Sequence, residues 1–285
     1  MRQIALPGHS FALPALGLGT WRMGEAAATR RAEVAAVRTA LELGYRLLDT
    51  AEMYGEGGAE EVVGEALAQA LRAGDVRREE VVVVSKVLPQ NASRAGTQAA
   101  CDRSRRRLGL DRIDLYLLHW RGPHPLHDTL DGLRALADAG AIGRWGVSNF
   151  DVDDLEELAA VAGPDECATN QVWYSLRERG PEFALLPWMR ERAMPLMAYS
   201  PIDMGDAARD PVLAAIGESH GTGAAAVALA AVLAQPGVVA IPKSADAGHL
   251  RENLAALELA LGDEDRRRID ERFPPPRRRT ALAMN

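Results

Sequence analysis

Three chemically reactive side chains close three successive apolar runs of this sequence. Asp49 is near the end of YRLLDT, Lys86 ends VVVVSK, and His119 ends IDLYLLH. They are 37 and 33 residues apart, about the length of one strand–helix unit. If the runs are parallel strands, the three side chains meet at one edge of the sheet. A carboxylate, an ammonium and an imidazole at one edge predict a site of proton transfer.

Tyr54 adds a proton donor to this set. It follows Asp49 by five residues in the segment AEMYGEGG, whose glycines allow the loop to fold back over the edge. A phenol alone is a weak acid, with a pKa of about 10. A nearby ammonium favours the phenolate, and a carboxylate beside the ammonium keeps it charged. We therefore expect Tyr54, tuned by Lys86 and Asp49, to protonate a carbonyl oxygen that His119 orients.

Protonation of a carbonyl oxygen is half of a reduction. The carbon must receive a hydride, which protein side chains do not supply, so a nicotinamide cofactor is implied. Taken singly, Tyr54 could be a packed loop aromatic and His119 a buried core imidazole. Together with a lysine and an aspartate at the same spacing, they favour catalysis over packing.

Lysine usage points to the same region. Of the 33 residues that are lysine or arginine, only Lys86 and Lys243 are lysines. Lysine differs from arginine where a compact ammonium must fit or where a pKa must be tuned. Both lysines are therefore candidate site residues, with chance retention as the alternative.

Eight apolar runs must position these side chains, and helical segments separate them. Strand-then-helix repeats imply parallel pairing with right-handed crossovers. Eight such units in about 250 residues predict an α/β fold, a single (β/α)8 TIM barrel whose loops at the carboxyl ends of the strands build the site. The runs cover residues 15–20, 45–50, 81–86, 113–119, 144–149, 168–172, 195–200 and 238–243.

The segments between the runs show helical periodicity. In the segment 30–44, Val34, Val37 and Leu41 lie on one helical face, and Gly44 signals the helix end. A doubly wound open sheet is the alternative fold, but GLGTWRMG lacks the third glycine of its dinucleotide fingerprint. The other helical segments cover 58–74, 128–140, 151–163 and 224–237.

The two chain ends lie outside the repeats. Pro7, Gly8 and Pro14 predict a short N-terminal hairpin that plugs the bottom of the barrel. The run PPPRRR at 274–279 marks the end of the compact fold, and the residues after it are expected to form a short mobile tail or lid. Because no linker-like change in composition interrupts the chain, residues 1–285 are expected to form one domain.

Eight motifs, in order, resemble the aldo-keto reductase family over nearly the whole chain. Each motif alone is weak, but the ordered set is specific. The resemblance implies NAD(P)H-dependent reduction of aldehydes and ketones to alcohols, with cofactor binding on the barrel itself. The motifs are GLGTW (17–21), LLDTAEMYGEG (47–57), VVVVSKV (81–87), IDLYLLHW (113–120), GVSNF (146–150), NQVWYS (170–175), AYSPI (198–202) and IPKSA with HLREN (241–253).

The resemblance also assigns roles to individual residues. It implies that Tyr54 is the general acid, Lys86 and Asp49 its tuning pair, and His119 the carbonyl-orienting residue. Tyr199 would stack on the nicotinamide ring. The implied cofactor is NADP(H), with NAD(H) as the alternative. Further implied cofactor contacts are Gly19, Thr20, Trp21 and Asp49; Ser148, Asn149 and Gln171 at the carboxamide; Ser200, Ile202 and Asp206 along the pyrophosphate; Lys243, Ser244 and His249 at the 2′-phosphate; and Glu252 and Asn253 at the adenine.

Three features depart from the family pattern. His249 stands where the family often has an arginine, and a histidine is a weaker, pH-dependent cation. Asp246 adds a negative charge nearby, which opposes phosphate binding. Because of the histidine, the preference for NADPH over NADH is expected to depend on pH. Arg121 stands where a proline is common, so the substrate-side loop is expected to differ in shape. The tail after Phe273 is short, which predicts an open and broadly selective pocket.

Large apolar side chains indicate which substrates could enter. Trp21, Met53, Trp120 and Trp173 are expected to ring the mouth and to suit aliphatic or aryl carbonyls and small dicarbonyls. Ordinary core packing is the alternative for at least one of the four. The segment GPHPLHD (122–128) holds two histidines without cysteine or paired carboxylate ligands, so no metal site is expected.

Composition disfavours several other functions. The formal net charge of −7 argues against nucleic-acid binding, and no apolar stretch reaches the roughly 18 residues of a membrane span. Two cysteines and no apolar leader of signal-peptide length indicate a reducing compartment. We expect a cytoplasmic enzyme, monomeric or weakly oligomeric, that acts on a small-molecule carbonyl. A cofactor-bound sensor with little turnover is the alternative, which the complete set of proton-transfer residues disfavours.

Overall fold

Strands and helices alternate along the chain in the computed structural model, which describes residues 2–6, 12–163 and 166–285. Each of the eight apolar runs predicted as a strand overlaps one, and these eight strands form one parallel sheet. The strands are β1 (Gln3–Ala5), β2 (Ala12–Pro14), β3 (Leu18–Gly19), β4 (Leu47–Asp49), β5 (Val82–Val87), β6 (Ile113–Leu118), β7 (Ile142–Ser148), β8 (Asn170–Trp173), β9 (Leu196–Tyr199) and β10 (Val238–Ala240).

All five predicted helical segments are helices. Val34, Val37 and Leu41 are buried on one face of the first, and Gly44 follows its end with a φ of +102°, a backbone angle that glycine adopts without strain. The helices are α1 (Ala27–Glu42), α2 (Gly58–Ala73), α3 (Arg94–Leu108), α4 (Leu126–Asp138), α5 (Val152–Ala162), α6 (Leu185–Glu191), α7 (Pro211–Ser219), α8 (Ala224–Leu233), α9 (Ala247–Ala255) and α10 (Asp263–Arg272).

The parallel sheet closes into a barrel through contacts between its first and last strands. Neighbours in the sheet follow chain order from β3 to β10. The Gly17 amide donates to the Ala240 carbonyl at 2.9 Å, and the Gly19 amide donates to the Pro242 carbonyl at 3.1 Å. A Cβ atom on Gly19 would lie 2.7 Å from the Ile241 carbonyl oxygen, so glycine permits this close approach. The predicted (β/α)8 barrel is confirmed, and the doubly wound alternative is wrong because an open sheet has two free edges.

An antiparallel hairpin lies at the bottom of the barrel, as predicted. β1 pairs with β2 so that Ile4 faces Leu13. Leu6 and Leu13 pack into the barrel interior against residues that begin the strands, such as Leu47 and Val82. Pro14 ends β2, whereas Pro7 and Gly8, which predicted the turn, lie outside the described residues.

Two apolar layers surround the strands. The inner layer fills the barrel with side chains such as Val84, Leu117 and Met197, and the outer layer lies between the strands and the helices. Side chains alternate between these layers because strand residues point in turn to opposite faces of the sheet. Among the described residues, no single helix is both long and apolar enough to cross a membrane, and α7 and α8 meet that criterion only as a pair bent by 88°.

Candidate active site

Strand alternation carries the reactive side chains to the top of the barrel interior. Leu47 in β4, Val84 in β5 and Leu117 in β6 all point inward. The next inward position on each run is two residues later, which is Asp49, Lys86 and His119. All three are buried: Asp49 is 2% exposed, Lys86 0% and His119 6%. The sequence prediction that these three converge is confirmed.

Lys86 joins the tyrosine to the aspartate. Its ammonium donates to Asp49 Oδ2 at 2.8 Å, to the Thr50 carbonyl at 2.9 Å and to the Tyr54 hydroxyl oxygen at 3.3 Å. Three N–H groups therefore meet three oxygens, which satisfies the ammonium completely. Because the phenol oxygen accepts from Lys86, its own hydrogen is free to be donated elsewhere.

Burial and charge act in opposite directions on this pair. Burial raises the pKa of Tyr54, and the Lys86 ammonium opposes it without cancelling the effect. For Lys86, burial disfavours the charged form, but the Asp49 carboxylate and the phenol outweigh it and hold its pKa above the usual value. The expectation that Lys86 favours the phenolate is right in sign, but burial dominates. Tyr54 therefore stays protonated, as a proton donor must be before it reacts.

His119 faces Tyr54 across the mouth as a neutral imidazole. The two ring centroids are 5.9 Å apart in an edge-on arrangement. Burial, together with the nearby Lys86 ammonium, keeps the pKa of His119 well below its ordinary value. Nδ1 is buried and has no hydrogen-bond partner within the described part of the chain. The tautomer with hydrogen on Nε2 avoids an unpaired buried N–H and leaves Nε2 as the donor.

Amide and hydroxyl groups form a connected wall beside the proton donor. The Gln171 amide nitrogen donates to Asp49 Oδ1 at 2.7 Å, so its amide oxygen points away from the carboxylate. The Tyr199 hydroxyl donates to Asn149 Oδ1 at 2.9 Å, and the Asn149 amide donates to Ser148 Oγ at 3.2 Å. Burial raises the pKa of Tyr199 to about 12, so its ring stays neutral. This wall has the hydrogen-bonding groups and the aromatic face that a nicotinamide carboxamide and ring require.

One cavity of about 610 Å³ connects this wall to the far end of the groove. It holds most of the residues that the sequence predicts for catalysis, cofactor and substrate. The predicted residues that line it are Gly19, Trp21, Asp49, Met53, Tyr54, His119, Trp120, Ser148, Asn149, Gln171, Tyr199, Ser200, Ile202, Lys243, Ser244, His249, Glu252 and Asn253.

Four predicted site residues do not line the cavity. Lys86 lies behind Tyr54, where its role requires it. Thr20 is buried, and its hydroxyl donates to the Asp49 backbone carbonyl at 2.9 Å, which leaves it no direct access to a ligand. Asp206 is paired with Arg209, and the Trp173 indole lies beside Asp203. Thr20, Asp206 and Trp173, which were expected to contact a ligand, are therefore not among the residues that line the cavity.

The far end of the groove has the features of a phosphate site. Lys243 is exposed there, and Ser244 is nearly buried beside it. Asp246 caps α9, because its Oδ1 accepts from the His249 backbone amide at 2.9 Å. This bond is the main cause of a lowered pKa for Asp246, so its carboxylate remains charged. The His249 ring nitrogen Nδ1 lies 3.9 Å from Asp246 Oδ1.

The C-terminal tail lies across the mouth, and its last residues line the cavity. Arg279 pairs with Asp151 at 3.0 Å, and the Asn285 amide donates to Ser200 Oγ at 3.1 Å. Met284 also lines the cavity. The residues after PPPRRR, expected to form a short tail or lid, therefore border the cavity, because the tail is fixed at Arg279 and reaches back to Ser200. Other lining residues that sequence reasoning missed are Arg22, Pro201, Met204, Gly205, Ala208, Ala225, Ile241 and Pro242.

Backbone geometry marks some of the missed lining residues. Arg22 and Met204 have φ angles of +63° and +54°. Such angles are uncommon outside glycine and concentrate at functional sites. Ile241 could have been predicted, because it continues the inward alternation of Val239 in β10. Met284 and Asn285 carried no such signal.

Sequence comparisons identify relatives over almost the whole chain. Residues 15–272 match the sequence profile of the Aldo/keto reductase family. A methylglyoxal reductase of Escherichia coli strain K12, YeaE, is 47% identical over 277 residues, which cover 95% of this chain and 95% of the relative. A 9,11-endoperoxide prostaglandin H2 reductase of Trypanosoma cruzi is 36% identical over 268 residues, which cover 92% of this chain and 89% of the relative.

Solved structures agree with the sequence relatives. An aldo-keto reductase from Klebsiella pneumoniae, crystallised with NADPH, superposes with a TM-score of 0.93 and is 44% identical to this chain. The match covers 100% of both chains. An aldo/keto reductase of the same organism, crystallised with NADP and acetate, has a TM-score of 0.91 and 45% identity, with 96% of each chain covered.

Proposed function

The chain belongs to the aldo/keto reductase family and reduces carbonyl groups with NADPH, and from this premise we propose that its substrates are small 2-oxoaldehydes of the methylglyoxal type. Two facts support this substrate class. The methylglyoxal reductase relative is similar over 95% of both chains. The cavity is lined by Trp21, Met53 and Trp120 as well as Tyr54, and their apolar surface suits the alkyl or aryl group that such a carbonyl compound carries.

The observation that carries the reduction chemistry is the contact of Lys86 with both Asp49 and Tyr54. In the proposed reaction the substrate carbonyl oxygen accepts hydrogen bonds from the Tyr54 hydroxyl and from His119. NADPH, when bound, would supply the hydride that the carbonyl carbon requires. The Tyr54 O–H bond then breaks and its proton passes to the substrate oxygen. The Lys86 ammonium stabilises the phenolate that remains, and Asp49 keeps that ammonium charged.

The cofactor would bind along the groove that leads away from Tyr54. We propose that Gln171 and Asn149 hold the carboxamide and that Tyr199 stacks on the nicotinamide ring. Because the Gln171 amide nitrogen is directed at Asp49, its oxygen would accept from the carboxamide NH2 group. At the other end, Lys243 and Ser244 would bind the 2′-phosphate. Ser200 and Ile202 would contact the pyrophosphate, and Glu252 and Asn253 the adenine.

We also propose a setting for the enzyme. Residues 1–285 act as one domain, because the family match covers residues 15–272 without interruption. A cytoplasmic location is supported by the buried free thiols Cys101 and Cys167, which suit a reducing compartment. The enzyme would act there as a monomer or weak oligomer. The net charge of −7 favours a small-molecule partner over a nucleic acid.

The experiment is a substrate panel with the purified protein. NADPH consumption is followed with methylglyoxal, a simple aldehyde, a simple ketone and a sugar aldehyde. We expect the highest kcat/KM for methylglyoxal. Turnover that favours the sugar would contradict the proposed substrate class. Tight NADPH binding without turnover on any carbonyl would instead indicate a cofactor-bound sensor.

A further inference from the structure

The loop that carries Tyr54 is held from outside the barrel by two buried carboxylates. Glu52 lies two residues before Tyr54, and Glu60 lies six residues after it in the first turn of α2. Glu52 is 6% exposed and Glu60 is fully buried. Neither lines the cavity, so neither contacts a ligand there. Buried carboxylates are costly unless they are paired, so their partners show what they hold.

Glu52 fixes the start of the loop. Its Oε1 accepts from the Leu88 backbone amide at 2.8 Å and from the Asn91 amide at 3.0 Å. Its Oε2 is paired with Arg103 of α3 at 3.3 Å. The Glu52 backbone amide also donates to the Lys86 carbonyl at 3.4 Å. The residue therefore joins the Tyr54 loop to the chain that follows β5 and to α3.

Glu60 fixes the end of the loop. Its Oε1 accepts from the Ser85 hydroxyl at 2.6 Å, and its Oε2 is paired with Arg107 of α3 at 2.8 Å. The Arg107 guanidinium also packs directly against the loop, because a Cβ atom on Gly57 would lie 2.3 Å from Arg107 Nε. Gly57 has a φ of +96°, so it meets both the steric and the backbone requirement of this contact.

The two arginines belong to one face of one helix. Arg103 and Arg107 are four residues apart in α3, a spacing that places side chains on the same side of a helix. One arginine pairs with the carboxylate before Tyr54 and the other with the carboxylate after it. We call Glu52, Glu60, Arg103 and Arg107 the α3 clamp. The clamp holds both ends of the loop from a single rigid element.

We propose that the α3 clamp is a positioning device for the reaction, which holds the Tyr54 hydroxyl against Lys86 and opposite His119. This inference rests on the proposed role of Tyr54 as the proton donor. The contact between Lys86 Nζ and the Tyr54 oxygen is 3.3 Å, near the upper limit for a hydrogen bond. A small outward movement of the loop would break it. Misplacement of a reacting group by about 1 Å can lower a rate about 100-fold.

The same clamp also reaches the strand that carries Lys86. Ser85, which Glu60 binds, precedes Lys86 in β5 and points to the opposite face of the sheet. One carboxylate thus ties the outer face of β5 to α2, while the next residue of β5 presents its ammonium to Tyr54. The positions of the proton donor and of its tuning lysine are therefore set by one group of contacts.

The test removes the cationic half of the clamp. Arg103→Ala and Arg107→Ala are made singly and together, with Arg106→Ala as the control, because Arg106 is exposed in the same helix turn. We measure kcat, KM, the Kd of NADPH, thermal stability and the pH profile of kcat. We expect the double variant to lose about 10- to 100-fold in kcat, while KM and the Kd change less than about twofold. Arg106→Ala should match the wild type.

The pH profile separates positioning from mere stability. A phenol displaced from the Lys86 ammonium has a higher pKa, so the alkaline limb of kcat should move to higher pH in the double variant. A double variant with a lower melting temperature but an unchanged alkaline limb would overturn the proposal. A double variant with the kcat of the wild type would overturn it as well. If the double variant does not fold, Arg103→Ala decides in the same way, since it leaves the fully buried Glu60 pair intact. If the wild-type protein does not reduce carbonyls, both the proposed function and the role of the clamp are contradicted. If the wild type is active and the variants are as active as it is, only the role of the clamp is contradicted.

Discussion

Replacement of Lys86 by arginine tests the chemistry of the site most directly. The chain uses arginine at nearly every basic position, so this change follows its general composition and conserves the charge. The structure nevertheless predicts that the Lys86→Arg enzyme loses most of its activity. Lys86 is fully buried, and its ammonium donates to three oxygens that converge on one nitrogen at 2.8, 2.9 and 3.3 Å. A planar guanidinium spreads its donors over three nitrogens and cannot reproduce that geometry.

The expected effects have separate magnitudes for stability and for rate. The larger group in a closed site should cost about 1–3 kcal/mol in the free energy of unfolding, as overpacking usually does. For a protein of this size that lowers Tm by roughly 2–4 °C per kcal/mol. Loss of the contact with Tyr54 removes the tuning of the general acid, and acid–base catalysis contributes about 100- to 10,000-fold to a rate. We therefore expect kcat to fall by about 100-fold or more.

The assay is steady-state NADPH oxidation with methylglyoxal at saturating cofactor. Fluorescence titration of NADPH and a melting curve are measured on the same preparation, so that loss of folding is not mistaken for loss of catalysis. Arg106→Lys is the control, because it exchanges the same two residue types at an exposed position. A folded Lys86→Arg enzyme that keeps most of the wild-type kcat would refute the reasoning and make Lys86 a structural lysine.

Three further predictions concern the proton donor and the phosphate end of the groove. Tyr54→Phe should lower kcat about 100- to 10,000-fold and leave the Kd of NADPH within about twofold, and equal kcat values would rule out Tyr54 as the acid. The wild type should bind NADPH more tightly than NADH, and His249→Arg should enlarge this preference, because arginine adds a permanent cation at the 2′-phosphate. Equal Kd values of the two cofactors in the wild type would contradict the 2′-phosphate site. Asp246→Asn keeps an N-cap for α9 but removes its charge, so NADPH should bind a few-fold more tightly and NADH unchanged; weaker NADPH binding would show that the carboxylate helps the site.

The strands and the reactive centre could be predicted because their signals are local. An apolar run closed by a polar residue is visible within six or seven letters, and alternation then fixes which residues face inward. That logic places Asp49, Lys86 and His119 together without any knowledge of the helices. It does not reveal that the Thr20 side chain is fully buried and that its hydroxyl donates to the Asp49 carbonyl within the barrel wall. A motif shows that a residue is near a site but not which way its side chain is directed.

Other features depend on contacts between distant parts of the chain. Glu52 and Arg103 are 51 residues apart, and Glu60 and Arg107 are 47 residues apart, so no short pattern pairs them. In the sequence, α3 is simply an arginine-rich helix. The raised pKa of Tyr54 also depends on contacts between distant parts of the chain. Its charged neighbours could be anticipated from spacing, but the extent of its burial, which raises the pKa, depends on the completed barrel.

The raised pKa of Tyr54 and the placement of Lys86 together explain how one residue can hold a proton and still release it. Burial keeps the phenol protonated before reaction, so the donor is always loaded. The ammonium acts mainly on the product of proton transfer, because it interacts more strongly with a phenolate than with a neutral phenol. Stabilisation that develops only as the proton leaves raises kcat and does not merely tighten substrate binding. This arrangement is effective only if the hydroxyl stays within hydrogen-bond distance of Lys86. A rigid Tyr54 loop is therefore as necessary for acid catalysis as the phenol itself.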